Sequence, residues 1–191
     1  MLAPKIQEVL DAWRDEFASD RLIWMRDRSH RGRMHRLYVR RKIQELGNQL
    51  ALQPLGLGSS RMVFALSATR VLKVAFSQHG FQANRQEAEA SKKLPRELHA
   101  VVRAVAGDGL WLIQERVRPV TTPRVKGISK LRAQVEETIG VRFWDMRTAN
   151  VGYRRDGSLV LIDLEDVATP VGGATIPRYL TDWWKEPRRY L

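Results

Sequence analysis

The chain reads as an α+β protein on three observations. Residues Pro4 to Ala18 place Ile6, Val9, Leu10, Trp13 and Phe17 at helical spacing. From Gln53 to Gln114, short apolar runs separated by glycine-bearing turns predict an antiparallel sheet with one inserted helix. A last apolar run, Leu159-Val-Leu-Ile162, predicts a strand that ends on Asp163.

The N-terminal stripe predicts a first helix, and Ser19-Asp20 predicts the cap of a second, running toward Gly47. Arg21 to Lys42 holds nine Arg or Lys, His30, His35 and one acid, Asp27, with Trp24 and Tyr38 interleaved. One face of such a helix can rest on the rest of the molecule while the other shows positive charge to solvent. Arg31, Arg33, Arg36, Arg40 and Arg41 are the candidate contacts to a nucleic acid or an acidic protein. The plainer alternative is a solvated basic face that braces the neighbouring sheet. A net charge of +12 and an isoelectric point near 10.7 favour polyanions without separating specific from general attraction.

Leu55-Gly-Leu-Gly-Ser-Ser-Arg-Met-Val-Phe64 reads as a glycine-bearing turn between two strands. Gly56 and Gly58 let the backbone approach a ligand closely, and the amides of Ser59 and Ser60 can donate to it. Val71-Leu-Lys-Val-Ala75 is the next strand, with Lys73 at its centre. The helix that follows, Asn84-Arg-Gln-Glu-Ala-Glu-Ala-Ser91, carries Glu87 and Glu89. Gly109 to Val117 is an apolar strand running into a polar connector, Gln114 to Val117. Between that connector and Asp145 there is room for one helix, Ser129 to Ile139. Then come Asp145 and Asn150, spaced Asp-x4-Asn, and the strand that ends on Asp163.

This succession, over about Leu55 to Glu165, resembles the protein-kinase-like superfamily, and most closely its aminoglycoside phosphotransferase and choline kinase branch. The resemblance implies a two-lobed fold with a truncated C-lobe: a basic helical extension at 1–50, an N-lobe at 51–117 and a reduced C-lobe at 118–191. It implies an ATP- and magnesium-dependent phosphotransferase acting on a hydroxyl of a small molecule or a protein. Asp145 would then serve the acceptor hydroxyl as base, while Asn150 and Asp163 hold magnesium against the phosphates. Lys73, paired with Glu87 or alternatively with Glu89, would cover the α- and β-phosphates beneath Gly56, Gly58, Ser59 and Ser60. Glu115 and Val117 would hold adenine through the backbone of the connector.

The chain departs from the family pattern in several places. Arg61 replaces the third glycine of the loop, and Phe143-Trp144 stand where the catalytic loop usually opens on His. Arg147 lies where protein kinases carry a lysine that neutralises the transferred group. Asp163 is followed by Leu164-Glu165, as in the antibiotic and choline kinases, and Glu165 offers a further carboxylate. From Asp166 to Leu191 the chain is broken by Pro170, Gly172, Gly173, Pro177 and Pro187, which leaves no room for a full substrate-binding lobe. In this it resembles reduced kinase-like proteins, often encoded by phages and mobile elements. Two further classes therefore stand beside the enzyme: a silent scaffold working through its basic helices, and a nucleotide sensor without turnover.

Composition excludes other chemistries. With no cysteine there is no disulfide, thiol nucleophile or thiolate metal site, which suits a cytoplasmic protein. The four His form no ligand pattern, and no Gly-x-Ser-x-Gly elbow is present. Neither a membrane span nor a signal peptide is expected.

Overall fold

The computed structural model describes residues 2–19, 33–58, 60–122, 125–140 and 146–164; of the side chains at 16–19, 33–40 and 78 it gives no account. Within these residues the protein is mixed α and β, with two antiparallel sheets.

Helix α1, Pro4–Ser19, lies against helix α2, Arg33–Leu50. Leu10 and Trp13 of the α1 stripe are buried, and Ile6 and Val9 pack beside them. Ile43, Leu46 and Leu50 of α2 join the same core. Gly47 does not stop α2, as the sequence suggests. The helix runs on to Leu50, and Ala51, at φ 52°, takes the left-handed position that ends it. The amides of Ala51 and Leu52 then donate back to the carbonyls of Asn48 and Gly47, the paired bonds of a Schellman ending. Gly47 has another use. A Cβ there would sit 3.1–3.3 Å from Leu52, Pro54 and Phe64, so glycine lets the chain turn tightly into the sheet.

The larger sheet holds β1 (Gln53–Leu57), β2 (Arg61–Ala65), β3 (Arg70–Ala75), β4 (Val102–Val105) and β5 (Trp111–Glu115), in the order β1-β2-β3-β5-β4. Its strands sort their side chains with period two. Met62, Phe64, Leu72, Val74 and Ile113 face α1 and α2 and complete their core. The alternate positions, Arg61, Lys73 and Gln114, share the other face. The sequence places the β5 strand from Gly109; it begins at Trp111 because Gly109, at φ +84°, belongs to the turn before it.

Helix α3, Gln78–Lys93, covers that second face. Ser77 caps it by accepting from the Gly80 amide, Lys92 and Lys93 occupy its last turn, and Pro95 follows its end. Its inner side is made of small or polar residues, Gly80, Ala83, Asn84, Glu87 and Ala90, which brings helix and sheet close together. A Cβ on Gly80 would lie 2.3 Å from the Ser60 carbonyl oxygen.

The smaller sheet holds β6 (Arg118–Pro119), β7 (Val151–Tyr153) and β8 (Leu159–Leu161). Helix α4, Ile128–Ile139, packs on it through Leu131 and Val135, which join Leu94, Leu98, Val151, Leu161 and Leu164 in a second core. His99 forms a parallel bridge with Leu161, and the Ala100 amide donates to the Leu161 carbonyl at 2.7 Å. That bridge ties the segment leading into β4 to β8. Among the described residues no helix is long and apolar enough to cross a membrane.

Candidate functional site

The β7–β8 hairpin sets the position of Asn150 and Asp163. Val151 pairs with Leu161, so the residues just outside that pair, Asn150 and Ile162, are neighbours, and the Ile162 amide donates to the Asn150 carbonyl at 2.8 Å. The turn at the other end, Arg154 to Ser158, is closed by Gly157 at φ +85° and by Asp156 accepting from Ser158. Asn150 and Asp163 therefore emerge at one end of one hairpin, although twelve residues separate them in sequence.

Lys73 reaches that end from the larger sheet. Its Nζ donates to Glu87 Oε1 at 2.6 Å and to the Ile162 carbonyl at 2.8 Å, immediately before Asp163. Glu89, the alternative partner, is exposed and paired with Lys92. Burial above all holds the Lys73 ammonium below the usual lysine range; Glu87 and Asp163 act against that, while Arg61 adds to it.

Glu87 is fully buried, and three donors converge on its carboxylate. Besides Lys73, Gln114 Nε2 donates to Oε1 at 2.8 Å, and Arg61 Nη1 donates to Oε2. The second nitrogen of Arg61, Nη2, donates to Asp163 Oδ1 at 3.0 Å. Arg61 thus bridges the two carboxylates, with Asn84 Oδ1 at 3.4 Å from Nη1 and the Asn84 amide itself fixed on the Gly109 carbonyl at 2.8 Å. Among the described residues, Lys73 and Arg61 meet Glu87 in its buried position, and Arg61 reaches on to the more exposed Asp163.

Motif spacing shows Arg61 only as a missing glycine. Its partnership is accessible from strand register: Arg61 lies on the same side of β2 as Val63, which pairs with Lys73. A charged residue two positions from the Lys73 pair, on the face turned toward α3, needs a carboxylate. The side-chain roles of Asn84 and Gln114 likewise leave no signal in the motif.

The glycine-bearing segment joins β1 to β2. The Gly58 amide donates to the Arg61 carbonyl at 2.9 Å, and the buried Ser60 accepts from the Phe76 amide through its carbonyl. Among the described residues, a Cβ on Gly56 would meet nothing within 4 Å, and one on Gly58 would meet the Arg61 carbonyl oxygen at 3.5 Å. Gly56 stands in β1 at the irregularity that follows Pro54, opposite Val63, which is itself a reason for a strand glycine. Ser59 lies outside the described residues.

In the connector, the amides of Glu115 and Arg116 are taken by the carbonyls of Val101 and Thr69. The Glu115 carboxylate accepts from both Nε and Nη2 of Arg154, at 2.9 and 3.0 Å. Burial raises its pKa, but the Arg154, Val101 and Arg103 contributions prevail and hold it below the usual carboxylate range. Arg154 Nη2 also donates to the carbonyls of Arg96 and His99, so it fixes the hairpin to the end of β5 and to the segment leading into β4. Val117 leads from β5 into β6, with its Cγ2 against Gly152.

Asp145, Glu165 and Arg31 lie outside the described residues. Arg147 is exposed just before the short turn of helix Thr148–Asn150. Arg33, Arg36 and Arg40 belong to α2, and Arg41, beyond them, is exposed and bonded to Glu45 at 2.8 Å.

The donors around Asp163 bear on magnesium. Among the described residues no three His, Cys, Asp or Glu cluster as metal ligands, and Asp163 already accepts from a guanidinium. In this cleft Oδ1 of Asp163 is engaged by the Arg61 cation.

No family model matches the chain, and no curated protein does. Among solved structures, SAICAR synthase from Saccharomyces cerevisiae, complexed with SAICAR, is similar with a TM-score of 0.30 and 11% identity, over 49% of this chain and 45% of that one. The likeness spans under half of that protein's length, and at this score it decides neither fold nor function.

Proposed function

We propose that the chain has a kinase-like fold of two lobes and is a phosphotransferase that binds ATP between them and serves a hydroxyl acceptor. The observation that supports this best is Lys73, buried on the central strand, paired with Glu87 and bonded to the carbonyl beside Asp163. A lysine so held directs one positive charge toward the end of the β7–β8 hairpin, where Asn150 and Asp163 emerge. The unfilled space over Gly56 and Gly58 is where the phosphates would lie against backbone. Asp145 is the proposed base, and Arg147 the proposed neutraliser of the transferred group. Magnesium at Asn150 and Asp163 enters this reading only when Arg61 has left Asp163.

One observation favours a second reading. The Arg61 bridge satisfies both carboxylates without a ligand, as a silent scaffold would require, and leaves the basic α2 segment as the working surface. Calorimetric titration with ATP, with and without magnesium, followed by a turnover assay, separates the two. ATP binding lost in Lys73→Met and turnover lost in Asp145→Asn support the enzyme. Absence of ATP binding in the wild type gives the scaffold the field.

A further inference from the structure

Arg61 sits where the charge balance of this cleft is decided. It enters from β2, directly after the glycine turn, and its side chain is as buried as that of Lys73. One nitrogen donates to Glu87 and the other to Asp163, so a single planar group neutralises parts of two carboxylates that belong to α3 and to the β8 end. Lys73 and Gln114 satisfy Glu87 from the opposite side. Asp163 is the member of the network most open to solvent, at 31% exposure against 0% for Glu87. It is therefore the carboxylate that an ion from solution would reach first.

We propose that the Arg61 guanidinium is the resident cation of this cleft and keeps a divalent ion off Asp163 in the nucleotide-free chain. A hard divalent ion would need to approach an Asp163 oxygen to about 2.1 Å, whereas Arg61 Nη2 already lies 3.0 Å from Oδ1. Two cations on one carboxylate repel, and with Arg61 itself buried that repulsion is only partly screened, so each occupant weakens the other. Removing the guanidinium takes one positive charge away from Asp163, while Glu87 keeps Lys73 and Gln114. The inference rests on the proposed reading of Asp163 as the cation-binding carboxylate of the site, but its test needs no nucleotide.

The probe is Mn2+ alone, followed by electron paramagnetic resonance titration of the full chain. Wild type is expected to bind Mn2+ weakly, Arg61→Gln more tightly by over about tenfold, and Arg61→Gln with Asp163→Asn as weakly as wild type. Arg61→Lys keeps the charge on a group that spans one carboxylate, and it too should gain uptake, which covers the case in which Arg61→Gln fails to fold. Equal Mn2+ binding by wild type and both variants overturns the proposal, whether that binding is tight or undetectable. A gain that survives Asp163→Asn overturns it as well. Because ATP is absent throughout, the titration decides the role of Arg61 even in a chain that never binds nucleotide.

Discussion

Lys73 Nζ donates to the Ile162 carbonyl at 2.8 Å, across 89 positions of sequence. That contact fastens the central strand of the larger sheet to the residue before Asp163. It sits beside the Lys73–Glu87 pair, so three distant segments meet at one ammonium group.

The network should respond unequally to loss of its members. Glu87→Gln leaves Lys73 and Arg61 buried without their shared anion and is expected to cost about 3–5 kcal/mol. Lys73→Met leaves Glu87 with Arg61 and Gln114 and should cost clearly less. Urea denaturation of both variants measures the difference. Equal losses would mean that Arg61 does not compensate Glu87.

The glycines should divide into two classes. Gly80→Ala drives a methyl into the Ser60 carbonyl, and Gly109→Ala adds a side chain at φ +84° beside the Phe81 carbonyl. Each should cost more than about 2 kcal/mol. Gly56→Ala and Gly58→Ala have room and should change stability by less than about 1 kcal/mol. On the proposed function they should still weaken ATP binding in calorimetry. Thermal unfolding that destabilises all four alike would contradict the division.

The α2 ending offers a gain. Ala51 holds φ 52° with a Cβ that disfavours this conformation. Ala51→Gly relieves that strain but adds chain entropy to the unfolded state, for a net stabilisation of about 0.5 kcal/mol. A lower unfolding midpoint in denaturant would show that Ala51 is not the strained residue of this cap.

Much of this architecture is legible in the sequence because it depends on local pattern. The stripe Ile6, Val9, Leu10 and Trp13 and the strand around Lys73 follow from spacing, while the pairing of Lys73 with Glu87 is legible through the kinase resemblance. The Arg61 bridge is not legible from motif spacing, since a missing glycine says nothing about where the replacing side chain goes. Register and the small inner side of α3 decide that. The end of α2 eludes local pattern for a similar reason: Gly47 signals a stop in sequence, yet its lack of a Cβ serves a contact with Pro54 and Phe64. The role of His99 is equally hidden, because an isolated histidine gains meaning only from what surrounds it.

His99 is buried and should make stability depend on pH. Its Nδ1 lies 2.9 Å from the Pro95 carbonyl, which can only accept, so Nδ1 carries the proton. Nε2 lies 2.7 Å from Ser91 Oγ and accepts the hydroxyl proton, while the same Oγ accepts from the Val102 amide at 3.1 Å. Every group is satisfied with the ring neutral. A second ring proton would face a serine oxygen already committed as donor to that nitrogen. Burial first of all holds the imidazole below the usual histidine range; the Pro95 carbonyl opposes this and Arg154 adds to it. The folded pKa is thus the lower one, and the unfolded chain binds the proton first as pH falls. The contribution is complete above the unfolded value of about 6.5 and is lost as pH drops from there through the folded value. The chain has four His, so the wild-type slope alone does not identify the source. The check is the unfolding free energy from pH 7.5 to pH 5 for wild type and His99→Gln, whose amide can still donate and accept. The variant should lose stability less steeply over this window, and parallel curves would remove His99 as the cause.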